Sequence, residues 1–128
     1  MDLGIKGRRA LVCASSKGLG RGCAEALAAE GVDLVLNARG SQALDETAAT
    51  IRQAYGVEVT AVAADITSEA GQAEVLTAAG EVDMLVTNAG GPPPGLWSDW
   101  DRDDFIAAFD ANLFYTGLEG LNSRWCDV

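Results

Sequence analysis

Four strand signals, each followed by a helix signal, predict a three-layer α/β fold with a parallel sheet. Three observations carry that expectation. Short apolar runs alternate with segments of helical periodicity from the first residues to about position 113. The strand runs are nearly continuous in apolar side chains, as required when both faces of a sheet are covered. Parallel strands joined by right-handed helical crossovers are the economical way to connect such an alternation.

The elements follow in order. Residues 11–14 read as a short buried strand that runs out into Ser15-Ser16-Lys17-Gly18. A helix starts at Gly18, with Leu19, Cys23 and Leu27 at spacing four as its apolar face and Ala24, Ala26 and Ala28 between. Gly31 ends it, because glycine tolerates the left-handed conformation. Residues 32–36 form a second strand, apolar apart from Asp33. Leu44, Ala48, Ile51 and Tyr55 then fall on one helical face, with Ser41 the expected N-cap and Gly56 the stop. Residues 57–64 are a third strand. Ser68 caps a third helix that runs to Ala79, with Val75 and Leu76 inward and Gly80 at its end. Residues 82–86 are a fourth strand. Residues 88–95 form a loop, because their glycines and prolines break both regular structures. Asp99 or Asp101 opens a last helix, with Phe105, Ile106, Phe109 and Leu113 expected on its buried side.

Composition bounds the function. A length of 128 residues suits one domain, and folding can bury roughly two thirds of the unfolded surface. There are 9 basic and 19 acidic side chains, a net charge of −10, which argues against nucleic acid and anionic membranes as partners. The absence of histidine excludes a Ser-His-Asp triad and a His-ligated zinc. Cys13, Cys23 and Cys126 are odd in number and do not form a disulfide framework. Cys13 and Cys23 read as small buried hydrophobes and Cys126 as a surface thiol. No stretch is long and apolar enough for a membrane span, and a cytoplasmic setting is expected. The acids Asp99, Asp101, Asp103 and Asp104 complement a helix dipole, so no metal site is expected there. Trp97 and Trp100 are expected to pack rather than to line a substrate pocket.

The segment Ala14-Ser15-Ser16-Lys17-Gly18-Leu19-Gly20 sits where a strand turns into a helix. Backbone N–H groups of a first helical turn bind phosphate there, and glycine lets the chain approach closely. The G-x-G-x-x-G spacing fails, because Cys23 stands where a third glycine is needed, and no Gly-Lys-Ser/Thr is present. Other features accompany the loop. Asp65-Ile66 follows the third strand, Asn88-Ala89-Gly90 follows the fourth, and Asn112 lies in the last helix.

Together these resemble the short-chain dehydrogenase/reductase family, from about Lys6 to about Leu113. Cys13-Ala14 and Gly18-x-Gly20 are similar to its T-G-x-x-x-G-x-G loop, with Ala14 in place of the first glycine. Residues 87–90 are similar to its N-N-A-G motif, with Thr87 replacing the first Asn. The resemblance implies a Rossmann-type fold with about four parallel strands in order 3-2-1-4. It implies that Ser15, Ser16, Lys17, Gly18, Leu19 and Gly20 surround the phosphates and that Asp65 and Ile66 face the adenine. Asn88, Ala89 and Gly90 would line the nicotinamide ribose, and Asn112 would be the structural and catalytic asparagine that supports a proton-relay water. The stretch Gly-Gly-Pro-Pro-Pro-Gly looks like a subgroup resembling 3-oxoacyl-carrier-protein reductases.

The choice of dinucleotide is legible in charge. A NAD-type site needs a carboxylate at the end of the second strand, and Leu36-Asn37-Ala38-Arg39 has none. The planar guanidinium of Arg39 suits a 2′-phosphate, and Lys17 adds a second cation, so NADP is the expected cofactor.

The family's chemistry also uses a Ser and a Tyr-x-x-x-Lys pair, in which tyrosine donates a proton and lysine lowers its pKa. The tyrosines are Tyr55 and Tyr115, and Val59 and Glu119 stand four residues on. No such pair exists in the chain. Residues 1–113 therefore read as an NADP-binding half-domain and residues 114–128 as a divergent tail, with truncation or a frame shift suspected near 113. One reading is an oxidoreductase that reduces a carbonyl, such as a 3-oxoacyl thioester, represented by its cofactor-binding half and inactive alone. The other is a non-catalytic NADP-binding or interaction module. A homo-oligomer through the last helix or the fourth strand is a candidate assembly.

Overall fold

The computed structural model describes residues 1–91 and 93–114. The expectations for Cys126 and for residues 115–128 lie outside the described residues. Four parallel strands form one sheet in the order β3-β2-β1-β4. They are β1 (Arg9–Val12), β2 (Asp33–Ala38), β3 (Val59–Ala63) and β4 (Met84–Val86). In register, Leu11 sits beside Val35 and Leu85, and Val35 beside Thr60. Helices α1 (Gly18–Ala29), α2 (Ser41–Tyr55) and α3 (Glu69–Ala79) are the crossovers.

The alternation of the strands divides the core in two. Ala10, Val12, Leu34 and Leu36 face α1 and α2, meeting Ala24, Ala28, Leu44, Ala48 and Ile51. Leu11, Cys13, Val35 and Val62 face the other way and meet Val75 and Ala79 of α3. The predicted three layers and strand order are therefore present.

Several local expectations are corrected. The strands lie within about two residues of their expected bounds. β1 starts at Arg9 and stops before Ala14, because Ala14 takes a left-handed φ of 48° that an extended strand cannot hold. In α1 the buried face is Gly20, Ala24 and Ala28. Leu19 is 83% exposed and Cys23 is exposed, not buried. The cause is close approach: a Cβ on Gly20 would collide with the carbonyl oxygen of Ala14, so the small residues must face the sheet. Ser41 is not an N-cap. β2 runs on to Ala38, which leaves only Arg39 and Gly40 as the turn, so Gly40 takes the cap position. Tyr55 is exposed at the end of the α2 stripe. Gly56 closes α2 in the left-handed region, and Ser68 caps α3 by accepting from the Gly71 N–H, both as expected.

The last helix departs most. A 3-10 turn (Trp97–Asp99) leads to α4 (Arg102–Phe109), which continues into a π-helical turn (Asp110–Phe114). Asp101 caps α4 with a capping box closed by Asp104, so the acids complete the helix start. Phe105, Ile106, Phe109 and Leu113 are exposed rather than buried. The reason is that α4 packs mainly on its own continuation and not against the sheet. Trp97 is also exposed, so it does not serve packing.

Candidate functional site

A cleft of about 1050 Å³ opens at the C-terminal ends of the strands. It straddles β1 and β4, where the strand order reverses. Ligands of open parallel sheets bind at such a switch point, because the loops on either side diverge there.

One wall is the loop between β1 and α1. Ser16, Lys17, Gly18 and Leu19 line the cleft, and Gly18 has a φ of 59°. Lys17 is the N-cap of α1 and makes no side-chain cap, which leaves the first N–H groups of the helix for a ligand. Two predicted loop residues face elsewhere. The Ser15 side chain is buried; its hydroxyl donates to the Val12 carbonyl at 2.9 Å and accepts from the Asn37 N–H at 3.2 Å. Gly20 faces the Ala14 carbonyl, so its role is close packing.

The second wall follows β2 and β3. Arg39 is exposed and lines the cleft beside Gly40. Asp65 Oδ1 accepts from the Thr67 hydroxyl at 2.7 Å and the Thr67 N–H at 3.0 Å. These bonds hold its carboxyl below the ordinary aspartate value, with the Arg39 charge adding a smaller effect. Ile66 is buried, contributes to the lining, and its carbonyl accepts from the Gln72 amide at 3.0 Å.

The third wall comes from β4 and α4. Asn88, Ala89 and Gly90 line the cleft. The Asn88 amide donates to the Ala14 carbonyl at 3.4 Å, which ties the loop after β4 to the loop after β1. The Cys13 thiol beneath is pushed up to about 11 by burial, against the opposing effect of a hydrogen bond from the Asn88 backbone, so it is an inert packing group. Asn112, in the π-helical turn, donates to the Ala108 carbonyl at 3.1 Å and the Gly90 carbonyl at 3.4 Å. It is exposed and lies at the cleft.

Some residues were missed from the sequence. Asn37 is 1% exposed, and its amide donates to the Val62 and Ala64 carbonyls at 3.0 Å each, joining the ends of β2 and β3. A polar residue inside the apolar run of β2 was the available signal. Thr67, which holds Asp65, carried none. Trp100 is half-buried and lines the cleft, where it meets Phe105 edge-on at 6.2 Å. Among the described residues no cluster of His, Cys, Asp or Glu is arranged to hold a metal ion, and no helix is long and apolar enough to cross a membrane.

The short chain dehydrogenase family model matches residues 8–117. The chain belongs to this family. As a short-chain dehydrogenase it is 32% identical, over 88% of its length, to an uncharacterized oxidoreductase of Bacillus subtilis, and covers 43% of that protein. It is 40% identical to the L-xylulose reductase of Mus musculus over 70% of the chain, covering 34% of that enzyme. Among solved structures, L-sorbose reductase from Gluconobacter frateurii, complexed with NADPH and L-sorbose, superposes with a TM-score of 0.86 at 30% identity. That match covers 97% of this short-chain dehydrogenase and 51% of the other chain. The chain thus spans about a third to a half of the length of these relatives.

Proposed function

We propose that this chain supplies the NADP-binding part of a carbonyl reductase. The observation that carries the reading is the cleft itself. It joins an uncapped, glycine-opened helix start to two exposed cations, Lys17 and Arg39, with no carboxylate at the end of β2. The residues present fit the dinucleotide. The N-terminus of α1 would take the pyrophosphate, and Lys17 and Arg39 the 2′-phosphate. Asp65 and Ile66 would meet the adenine, and Asn88, Ala89 and Gly90 the nicotinamide ribose. Asn112 would hold a water for proton relay. When bound, NADPH supplies the hydride; the chain's own residues bind and orient it.

Solved relatives include an L-sorbose reductase and a short-chain dehydrogenase in complex with NADPH, which supports the cofactor assignment. The names L-xylulose reductase and L-sorbose reductase favour a polyhydroxylated ketone as substrate over the 3-oxoacyl thioester suggested by the proline-rich loop. A purely non-catalytic module has less support, because the named relatives are oxidoreductases. Among the described residues β4 pairs with β1 alone, and with the half-exposed Phe105 and Ile106 of α4 this supports association through that side.

Two measurements test the reading. NADPH and NADH affinities should differ in the wild-type chain, and Arg39→Ala should reduce the NADPH preference by about tenfold or more. An unchanged preference would sink the cofactor assignment. Because the 128 residues hold no Tyr-x-x-x-Lys pair, the purified chain should bind NADPH yet show no oxidation of it with a ketose. Turnover at catalytic rates would overturn that expectation.

A further inference from the structure

We infer that Thr47 is a positioning residue for the pyrophosphate, acting through the peptide unit between Ser16 and Lys17; this rests on the dinucleotide reading above. Thr47 lies on α2, 31 residues from the loop it touches, and its hydroxyl donates to the Ser16 carbonyl at 2.8 Å. The side chain is 2% exposed and does not line the cleft, whereas Ser16, Lys17 and Gly18 do. A trans peptide is planar, and its C=O and N–H point in opposite directions. Holding the carbonyl toward α2 therefore turns the Lys17 N–H the other way. It also keeps a partially negative oxygen clear of the start of α1, where an anion would sit.

The loop thus has two tethers of different kinds. Ser15 fixes the middle of the loop to β1 and β2 through its hydroxyl and its backbone. Thr47 fixes the next peptide to α2, just ahead of the N-cap Lys17, which makes no side-chain cap. Without the hydroxyl, that peptide is free to rotate, and a rotated carbonyl would oppose a phosphate. Arg39 precedes α2 and does not depend on the orientation of this peptide, and the Lys17 ammonium sits on a flexible four-carbon stem that can still reach the 2′-phosphate when the peptide turns. The effect should therefore fall on ligands that carry a pyrophosphate and spare the 2′-phosphate contact.

The test measures affinities of the 128-residue chain for NADPH, for NADH and for 2′-AMP, which has the 2′-phosphate but no pyrophosphate. Thr47→Val keeps the shape and removes the donor. It should weaken NADPH and NADH by about three- to tenfold, the worth of one neutral hydrogen bond, and leave 2′-AMP within about twofold. Thr47→Ser should restore binding. Thr47→Ala, which puts no second methyl against the Ser16 carbonyl, is the second probe if the valine variant folds poorly, and should show the same pattern. Equal weakening of all three ligands would assign Thr47 a merely structural role and overturn the inference, as would unaltered NADPH binding. A wild-type chain that binds no NADPH would instead overturn the cofactor reading on which the inference stands.

Discussion

The two sides of the molecule are built differently. From β1 to α3, apolar side chains close on the sheet from both faces, and Leu11, Leu34, Leu36, Leu44, Ile51 and Val75 are almost wholly buried. From β4 onward, the strand residues are only half-buried, and Phe105, Ile106, Phe109 and Leu113 of the last helical segment stay about half exposed. The residue types are equally apolar on both sides. What differs is whether another element stands opposite. Hydrophobic burial stabilises in proportion to the area removed from water, so stability should be concentrated in the first side.

The sharpest way to break this comparison is to truncate one large side chain on each side. Ile51→Ala should cost about 2–5 kcal/mol of unfolding free energy, since it leaves a cavity between α2 and the sheet. Trp97→Ala should change stability by no more than about 0.5 kcal/mol, because that side chain is already 83% exposed. Denaturant unfolding of the two variants checks the contrast, and equal losses would refute it.

A smaller effect, of opposite sign, lies at the boundary between the core and the cleft. Ala14 holds a φ of 48°, a conformation that carries strain for any residue with a Cβ. Ala14→Gly should raise stability by about 0.5–1 kcal/mol, the strain relieved being partly offset by the extra backbone entropy of glycine. A lower melting temperature in this variant would count against the assigned strain.

The smallest effect concerns the cleft wall after β3. Folding lowers the Asp65 carboxyl pKa, chiefly through the Thr67 hydroxyl and N–H. Its contribution is therefore fully present above the unfolded value of about 3.9 and fades as pH falls through the lower folded value. The group is exposed, so solvent screening keeps the contribution small. Thr67→Val should be less stable than wild type at pH 6, and the gap should narrow below pH 4. A gap independent of pH would show that the carboxylate does not supply it.

Much of the site was legible because its signals are local. Glycines at a strand-to-helix turn, cations in an acidic chain and Asn88-Ala89-Gly90 after an apolar run can each be read without knowing what lies across the fold. Asn37 and Thr47 could not be read this way. Each acts on a segment 22 or more residues distant, so its role exists only once β2 and α2 lie beside their neighbours. The inward turn of Ser15 has the same origin, since its partner is the Asn37 backbone.

The sequence by itself determined the order of strands and helices, the parallel sheet, the capping by Ser68, an aspartate at the start of the last helix, and the glycine-bearing turn after β1. These depend on periodicity, on cap chemistry and on connection handedness, which the chain carries residue by residue. Only the tertiary structure decided which stripe of α1 is buried and that the apolar stripe of α4 is not. Of the spacing-four apolar positions, Leu27 packs partly on the core, but Leu19 and Cys23 are exposed, because the Ala14 carbonyl leaves room only for Gly20 and its small neighbours. An apolar pattern states that a face can be buried; whether it is depends on what the fold sets against it.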